Sequence, residues 1–283
     1  SLFLLKGYAG TGKTTTISTL VSSLWKINQK SVLLAPTGRA AKVISVYSKK
    51  QAFTIHKKIY FPKADSGGAG VQFSLKDNKH TNTIFIVDES SMIGDDRQQS
   101  KLFENGSLLH DLVHYVTNGD KCKLIFVGDP AQLPPVHLNI SPALDLEELT
   151  QFHFDKIYSI KLDAVVRQAK GSGVLNNATL LRSQLNNEVY DQFKFDVQGF
   201  SDILYTNNGM DLFEAIENAF QDAGTDQTIF IVRSNKRANI YNENIRKRIL
   251  GLEDELSVGD QLMVVKNNYF WLAPESKPGF IAN

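Results

Sequence analysis

Lys13 and Thr14 close the run Gly7-Tyr8-Ala9-Gly10-Thr11-Gly12-Lys13-Thr14, a spacing of residue types that suits the capture of phosphate. Glycines let the backbone turn tightly, so that successive N–H groups aim at one anion, and a helix starting there adds partial positive charge. Lys13 can reach β- and γ-phosphates, and the Thr14 hydroxyl can ligate Mg²⁺. Gly7, Ala9, Gly10, Thr11, Gly12, Lys13, Thr14 and Thr15 are therefore the expected binding residues for a nucleoside triphosphate. The competing reading is a Gly-rich surface turn, which the complete eight-residue pattern in its context disfavours.

Asp88 and Glu89 end the apolar run Ile84-Phe85-Ile86-Val87. Carboxylates at the carboxyl edge of a parallel sheet face the crevice in which a phosphate loop lies. There Asp88 would complete the Mg²⁺ shell with Thr14, and Glu89 would polarise an attacking water. Taken without the loop, the pair would be an ordinary solvated strand end. Gly128-Asp129-Pro130-Ala131-Gln132-Leu133-Pro134-Pro135-Val136 follows a further apolar run. Gln132 could sit near the γ-phosphate, where a neutral amide can change hydrogen-bond partner on hydrolysis; a plain rigid turn is the alternative. In Ala35-Pro36-Thr37-Gly38-Arg39, Thr37, Arg39 and the amides of the helix that starts there could hold nucleic-acid phosphates. Thr54-Ile55-His56 is too short to carry meaning by spacing.

The elements that must position these groups are visible as short continuous apolar runs, Leu2 to Leu5, Val32 to Ala35, Ile84 to Val87 and Leu124 to Val127. Segments of helical length separate them, from Lys13 to Trp25, Arg39 to Tyr47 and Leu108 to Val116. Runs apolar at every position suit strands buried on both faces, and alternation with helices implies βαβ units and an α/β parallel sheet. Pro62 and the Ser66 to Gly70 stretch break the pattern between residues 61 and 80, as an inserted hairpin or a loop. Beyond Tyr158 a new α/β set is expected, with strands at Ile203 to Tyr205 and Ile229 to Val232 and helices at Asp211 to Phe220 and Lys236 to Leu250. The expected division is therefore 1–160 and 161–283, with a β-rich insertion starting near 258.

Composition narrows the setting. The 283 residues carry 31 Lys and Arg against 30 Asp and Glu, so any nucleic-acid site is a local track and not a global basic field. The lone Cys122 excludes an internal disulfide and fits a reducing cytoplasm. No apolar run approaches the roughly 18 residues of a membrane span.

In their order these segments resemble the RecD-like superfamily 1 helicases, the 5′→3′ branch. Gly7 to Thr16 stands as motif I, Ala35 to Lys42 as motif Ia, and Thr54 to His56 as the next strand-contacting motif. Asp88 to Met92 stands as motif II and Gly128 to Val136 as motif III. Leu162 to Gln168 resembles motif IV, whose arginine, here Arg167, would reach the γ-phosphate. The resemblance implies a RecA-like P-loop motor domain followed by part of a second α/β domain, with ATP and Mg²⁺ as cofactors and single-stranded DNA as partner. It implies Lys13, Glu89, Gln132 and Arg167 as catalytic residues, and Pro36, Thr37, Arg39, Thr54 and His56 as DNA contacts. Repair or recombination subunits are further possible partners, and no membrane is implied. The family's upstream adenine-reading glutamine and late arginine motif have no match in the 283 residues, so a fragment deficient in hydrolysis is expected. Two rivals stand beside this reading, a non-catalytic nucleotide- and DNA-binding subunit and a P-loop small-molecule kinase. The kinase leaves Gly128 to Val136 without a role.

Overall fold

The computed structural model describes residues 1–64, 71–94, 107–163, 171–187, 189 and 194–262. The described residues fall into two compact units, 1–163 and 171–262.

The first unit is built on six parallel strands: β1 (Leu2–Gly7), β2 (Lys30–Ala35), β3 (Ala52–Thr54), β6 (Thr83–Val87), β7 (Lys123–Gly128) and β8 (Ile157–Leu162), in the order β3-β2-β6-β7-β1-β8. Strand side chains alternate between faces, and both faces are apolar here. Leu2, Leu4, Leu34, Phe85, Val87, Leu124 and Phe126 pack into one buried cluster, which includes Ile55 and Ile59 of α3 (Ile55–Ile59), Leu109, Leu112 and Val116 of α4 (Leu108–Thr117) and Leu149 of α5 (Leu146–Thr150). Leu5, Leu33, Ile86 and Val127 point the other way, onto Ile17 and Val21 of α1 (Lys13–Leu24) and Ile44 of α2 (Gly38–Ser48). Helices on both faces explain why the central strands are apolar at consecutive positions. Between α3 and β6, β4 (Tyr60–Ala64) and β5 (Val71–Leu75) pair antiparallel as a small hairpin. Its base is tied to α4 by a hydrogen bond from the Tyr60 hydroxyl to buried Asp111, 2.6 Å long.

The structure changes three expectations. Tyr158 does not begin a new set: β8 pairs with β1 from Ile157↔Leu2 to Leu162↔Gly7, extending the first sheet past residue 160. As an edge strand β8 needs no apolar run, and Tyr158 and Ile160 are about half exposed. Secondly, 203–205 and 229–232 are not strands; the described residues of the second unit form α6 (Gly173–Asn186), α7 (Gly209–Ala223) and α8 (Asn235–Asn244), the last running into a π-type turn, Ile245–Ile249. Ile229 and Ile231 are 76% and 91% exposed, and a strand without a hydrogen-bonded neighbour has nothing to hold it extended. Thirdly, 258–259 form a turn and 260–262 irregular chain, with no strand among these five residues. Asp260 fixes that turn by accepting two 2.7 Å bonds from the Arg246 guanidinium and one from Ser257 N. The rest of the expected insertion lies outside the described residues.

Candidate functional site

Every strand of a parallel sheet delivers its carboxyl end to the same rim, and the candidate residues sit along it in register. Lys6 lies opposite Gly128, Val87 opposite Phe126 and Leu34, and Ala35 opposite Thr54. The loops after β1, β7, β6, β2 and β3 are therefore neighbours in that order.

After β1 the chain turns through Gly10 and Gly12, with φ of +78° and +89°, a region that non-glycine residues rarely adopt. Gly12 caps α1 without a side-chain acceptor, which leaves the first-turn amides directed out of the helix. Thr11 braces the loop by donating its hydroxyl to Tyr8 O at 2.8 Å. A Cβ on Gly7 would come within 2.7 Å of the Thr11 hydroxyl oxygen and 3.0 Å of Leu162 Cβ, so the start of the loop tolerates glycine only. The Lys13 ammonium folds back over the loop, donating to Gly7 O at 2.6 Å and Tyr8 O at 3.0 Å. Its nearest carboxylate is Asp129, 3.8 Å away. Thr14 is half-buried, while Ala9 and Thr15 are exposed at the loop's outer surface.

After β6, burial pushes the Asp88 carboxyl up to about 6; neighbouring Glu89 adds to the rise, while the Glu89 amide and Lys13 oppose it. That amide donates to Asp88 Oδ1 at 3.0 Å. Glu89 itself holds φ of +53°, left-handed backbone that a carboxylate residue adopts at a cost of about 1–3 kcal/mol. The chain leaves the extended conformation there, two residues after β6 ends at Val87.

After β7, Gly128 packs so closely that a Cβ would meet both Leu144 methyls at 2.8 Å and Ser91 N at 3.1 Å. Asp129 is buried, and its Oδ1 accepts from Ala131 N at 2.8 Å, shaping the turn. Gln132 is exposed, and its Oε1 accepts from the Ser91 hydroxyl at 2.9 Å. The loops after β6 and β7 are thus joined side chain to side chain. Ser141 adds a buried brace, donating its hydroxyl to Ser90 O and Ile93 O at 2.8 and 2.7 Å.

At the far end of the rim, Thr37 caps α2, accepting from Ala40 N, and Thr54 caps α3, accepting from Lys57 N. Pro36 is half-buried and Arg39 exposed. His56 stacks at a tilt on Tyr60, centroids 5.7 Å apart, and burial lowers its pKa, so it is neutral at neutral pH and could offer a phosphate a hydrogen bond but no charge. Arg167 lies outside the described residues. The structure thus brings Lys13, Thr14, Asp88, Glu89 and Gln132 onto neighbouring strand ends, with Pro36, Thr37 and Arg39 after the next strand, β2, and Thr54 and His56 after β3 beyond it. Sequence reasoning passed over Asp129 and Ser91. Asp129 carries the same signal as Asp88, a carboxylate immediately after a buried strand.

Residues 1–138 match the family model described as an AAA domain. Protein R530 of Acanthamoeba polyphaga mimivirus is 26% identical over 100% of this chain and 59% of its own length. The ATP-dependent RecD2 DNA helicase of Deinococcus radiodurans is 29% identical over 62% of this chain and 21% of its own. The ATP-dependent DNA helicase dda of Enterobacteria phage T4 is 26% identical over 97% and 58%. In sequence the chain is thus similar to two proteins described as ATP-dependent DNA helicases. It spans between about a fifth and three fifths of the length of these relatives. The AAA domain match contains the whole described rim, from Gly7 to Gln132 and out to His56. Among the described residues, no helix is long and apolar enough to cross a membrane.

Proposed function

We propose that this chain is the motor portion of an ATP-dependent DNA helicase or translocase, moving 5′→3′ on single-stranded DNA. The observation that carries this is the shared rim: a phosphate loop, a carboxylate pair and a glutamine loop meet on adjacent strand ends, with the Ser91–Gln132 bond joining the last two. Lys13 would leave the Gly7 and Tyr8 carbonyls to neutralise charge on the transferring phosphoryl group. Thr14 and Asp88 offer a hydroxyl and a carboxylate, the oxygen donors Mg²⁺ prefers, and bound Mg²⁺ would neutralise phosphate charge. Glu89 would orient the water, Gln132 would sense the γ-phosphate, and Arg167 would add charge from the 161–283 region. Single-stranded DNA would cross the carboxyl ends of β2 and β3 over Pro36, Thr37, Arg39, Thr54 and His56. That two of these are helix caps supports the placement, since phosphates bind at helix N-termini. A reducing, cytoplasmic setting and repair-complex partners belong to the same reading, as does slow hydrolysis by these 283 residues alone.

The test is binding of Mg-ATP and of a fluorescent oligothymidine to this chain, each titrated with and without the other. The proposal expects both to bind and each to change the other's affinity. A chain that bound ATP but never DNA, and phosphorylated a small acceptor, would be a kinase.

A further inference from the structure

The loop after β7 touches the nucleotide site twice, through Gln132 on Ser91 and through Asp129 on Lys13, and the second contact has no role in the reading above. Asp129 is 3% exposed. Its Oδ1 is used by Ala131 N, while Oδ2 faces the Lys13 ammonium at 3.8 Å, an ion pair without a hydrogen bond among the described residues. A buried carboxylate held this way is under-satisfied, and its attraction for Lys13 is screened little. The other groups around the ammonium are the Gly7 and Tyr8 carbonyls and the carboxylate of Asp88. All of these must give up Lys13 when phosphate takes it.

We propose that Asp129 is a positioning residue that holds Lys13 off the phosphate site, so that nucleotide must exchange this partner for phosphate, and that the exchange frees the loop carrying Gln132. This deepens the nucleotide-binding reading and rests on it. Two geometric facts make the loop able to transmit the change. Its main chain is pinned to Asp129, with Gln132 N donating to Asp129 O at 3.2 Å, so a shift of residue 129 moves residue 132. Pro135 also packs on the segment that follows the carboxylate pair, where a Cβ on Gly94 would lie 3.3 Å from Pro135 Cβ.

Asp129→Asn keeps the Oδ1 acceptor for Ala131 and removes only the charge. Mg-ADP affinity of the full chain, measured by calorimetry, should tighten on the order of tenfold, because a competing charge about 4 Å from Lys13 is gone. In a Lys13→Met background the same change should shift affinity less than twofold, since no ammonium remains to compete for. Weakened or unchanged affinity in Asp129→Asn, or an equal effect in both backgrounds, overturns the proposal and leaves Asp129 a turn former. If Asp129→Asn fails to fold, Asp129→Glu takes its place: retained charge should keep affinity within threefold of the parent, and tightening would overturn the proposal. A parent chain that binds no Mg-ADP overturns the nucleotide reading itself, and this proposal with it.

Discussion

A carboxyl group titrating near 6 makes the rim responsive to pH where ordinary carboxylates are not. Asp88 binds its proton more tightly folded than unfolded, because burial penalises the charged form. The stabilising contribution is therefore complete below the ordinary value near 4 and is lost as pH rises through about 6. In the absence of a dication, urea midpoints should show stability falling over that window, by on the order of 3 kcal/mol. Asp88→Asn should remove the slope and be the more stable protein at pH 7. Mg-nucleotide affinity should change in the opposite sense, weakening as pH drops from 7 to 5, because the proton then competes with the metal. Lys13→Ala is expected to weaken ATP binding on the order of a hundredfold by calorimetry while leaving the circular dichroism spectrum unchanged. Gln132 is exposed and, among the described residues, its side chain is held by Ser91, so Gln132→Ala should retain ATP binding within about threefold and lose the influence of DNA on it. An unaltered DNA effect in that variant would reduce the residue to a surface amide. At this scale the types and spacing of Lys13, Thr14, Asp88 and Gln132 were readable without coordinates. The Asp88 shift was not, since it comes from burial, which no spacing encodes.

At the scale of elements, Gly128 ends β7 at a point with no room for a side chain. A Cβ there meets the buried Leu144 and the backbone of Ser91, and backbone cannot yield as a flexible side chain does. Gly128→Ala is expected to cost about 1–3 kcal/mol by overpacking, read as a lowered urea midpoint, and to disturb the Ser91–Gln132 bond. The helix caps complicate any test of the DNA track. Thr37→Ala and Thr54→Ala should each cost about 1 kcal/mol of stability by losing the cap bond, whatever they do to DNA. Arg39→Ala is the cleaner variant, being exposed, and should weaken oligothymidine binding and flatten its salt dependence by about one phosphate contact. Strands β1, β2, β6 and β7 were legible to within one or two residues because burial on both faces forces an apolar run. β8 was not, because an edge strand with residues such as Tyr158, Ser159 and Lys161 carries no such run. The runs at 203–205 and 229–232 misled for the converse reason: β-branched and aromatic residues favour a strand only where a neighbouring strand receives them.

For the whole molecule, the two units differ in how much apolar surface they bury. The first holds two extensive buried clusters, whereas Ile216 and Ile245 are the buried apolar side chains among the described residues of 171–262. Local stability follows burial, so amide exchange should be slow in β1, β6 and β7 and fast across α6 to α8. ATP at a hundred times its dissociation constant should add about 2.7 kcal/mol to the stability of the unit that binds it. Exchange with and without Mg-ATP should therefore show new protection confined to residues below 163. Protection that appeared instead across α7 and α8 would place the nucleotide somewhere other than the phosphate loop.

Because the candidate residues described above gather on the carboxyl rim, the opposite end of the strands suits instrumentation. Cys122, the single thiol of the chain, lies at the amino end of β7, half-exposed, with Asp129 just past the other end of that strand. At about 3.3 Å per residue the two lie roughly 20 Å apart. A maleimide dye or a biotin tether on Cys122 would then leave the phosphate loop, the carboxylates and the DNA track pointing away from the attachment surface. The unaltered sequence thus comes with its own oriented anchor for single-molecule recording.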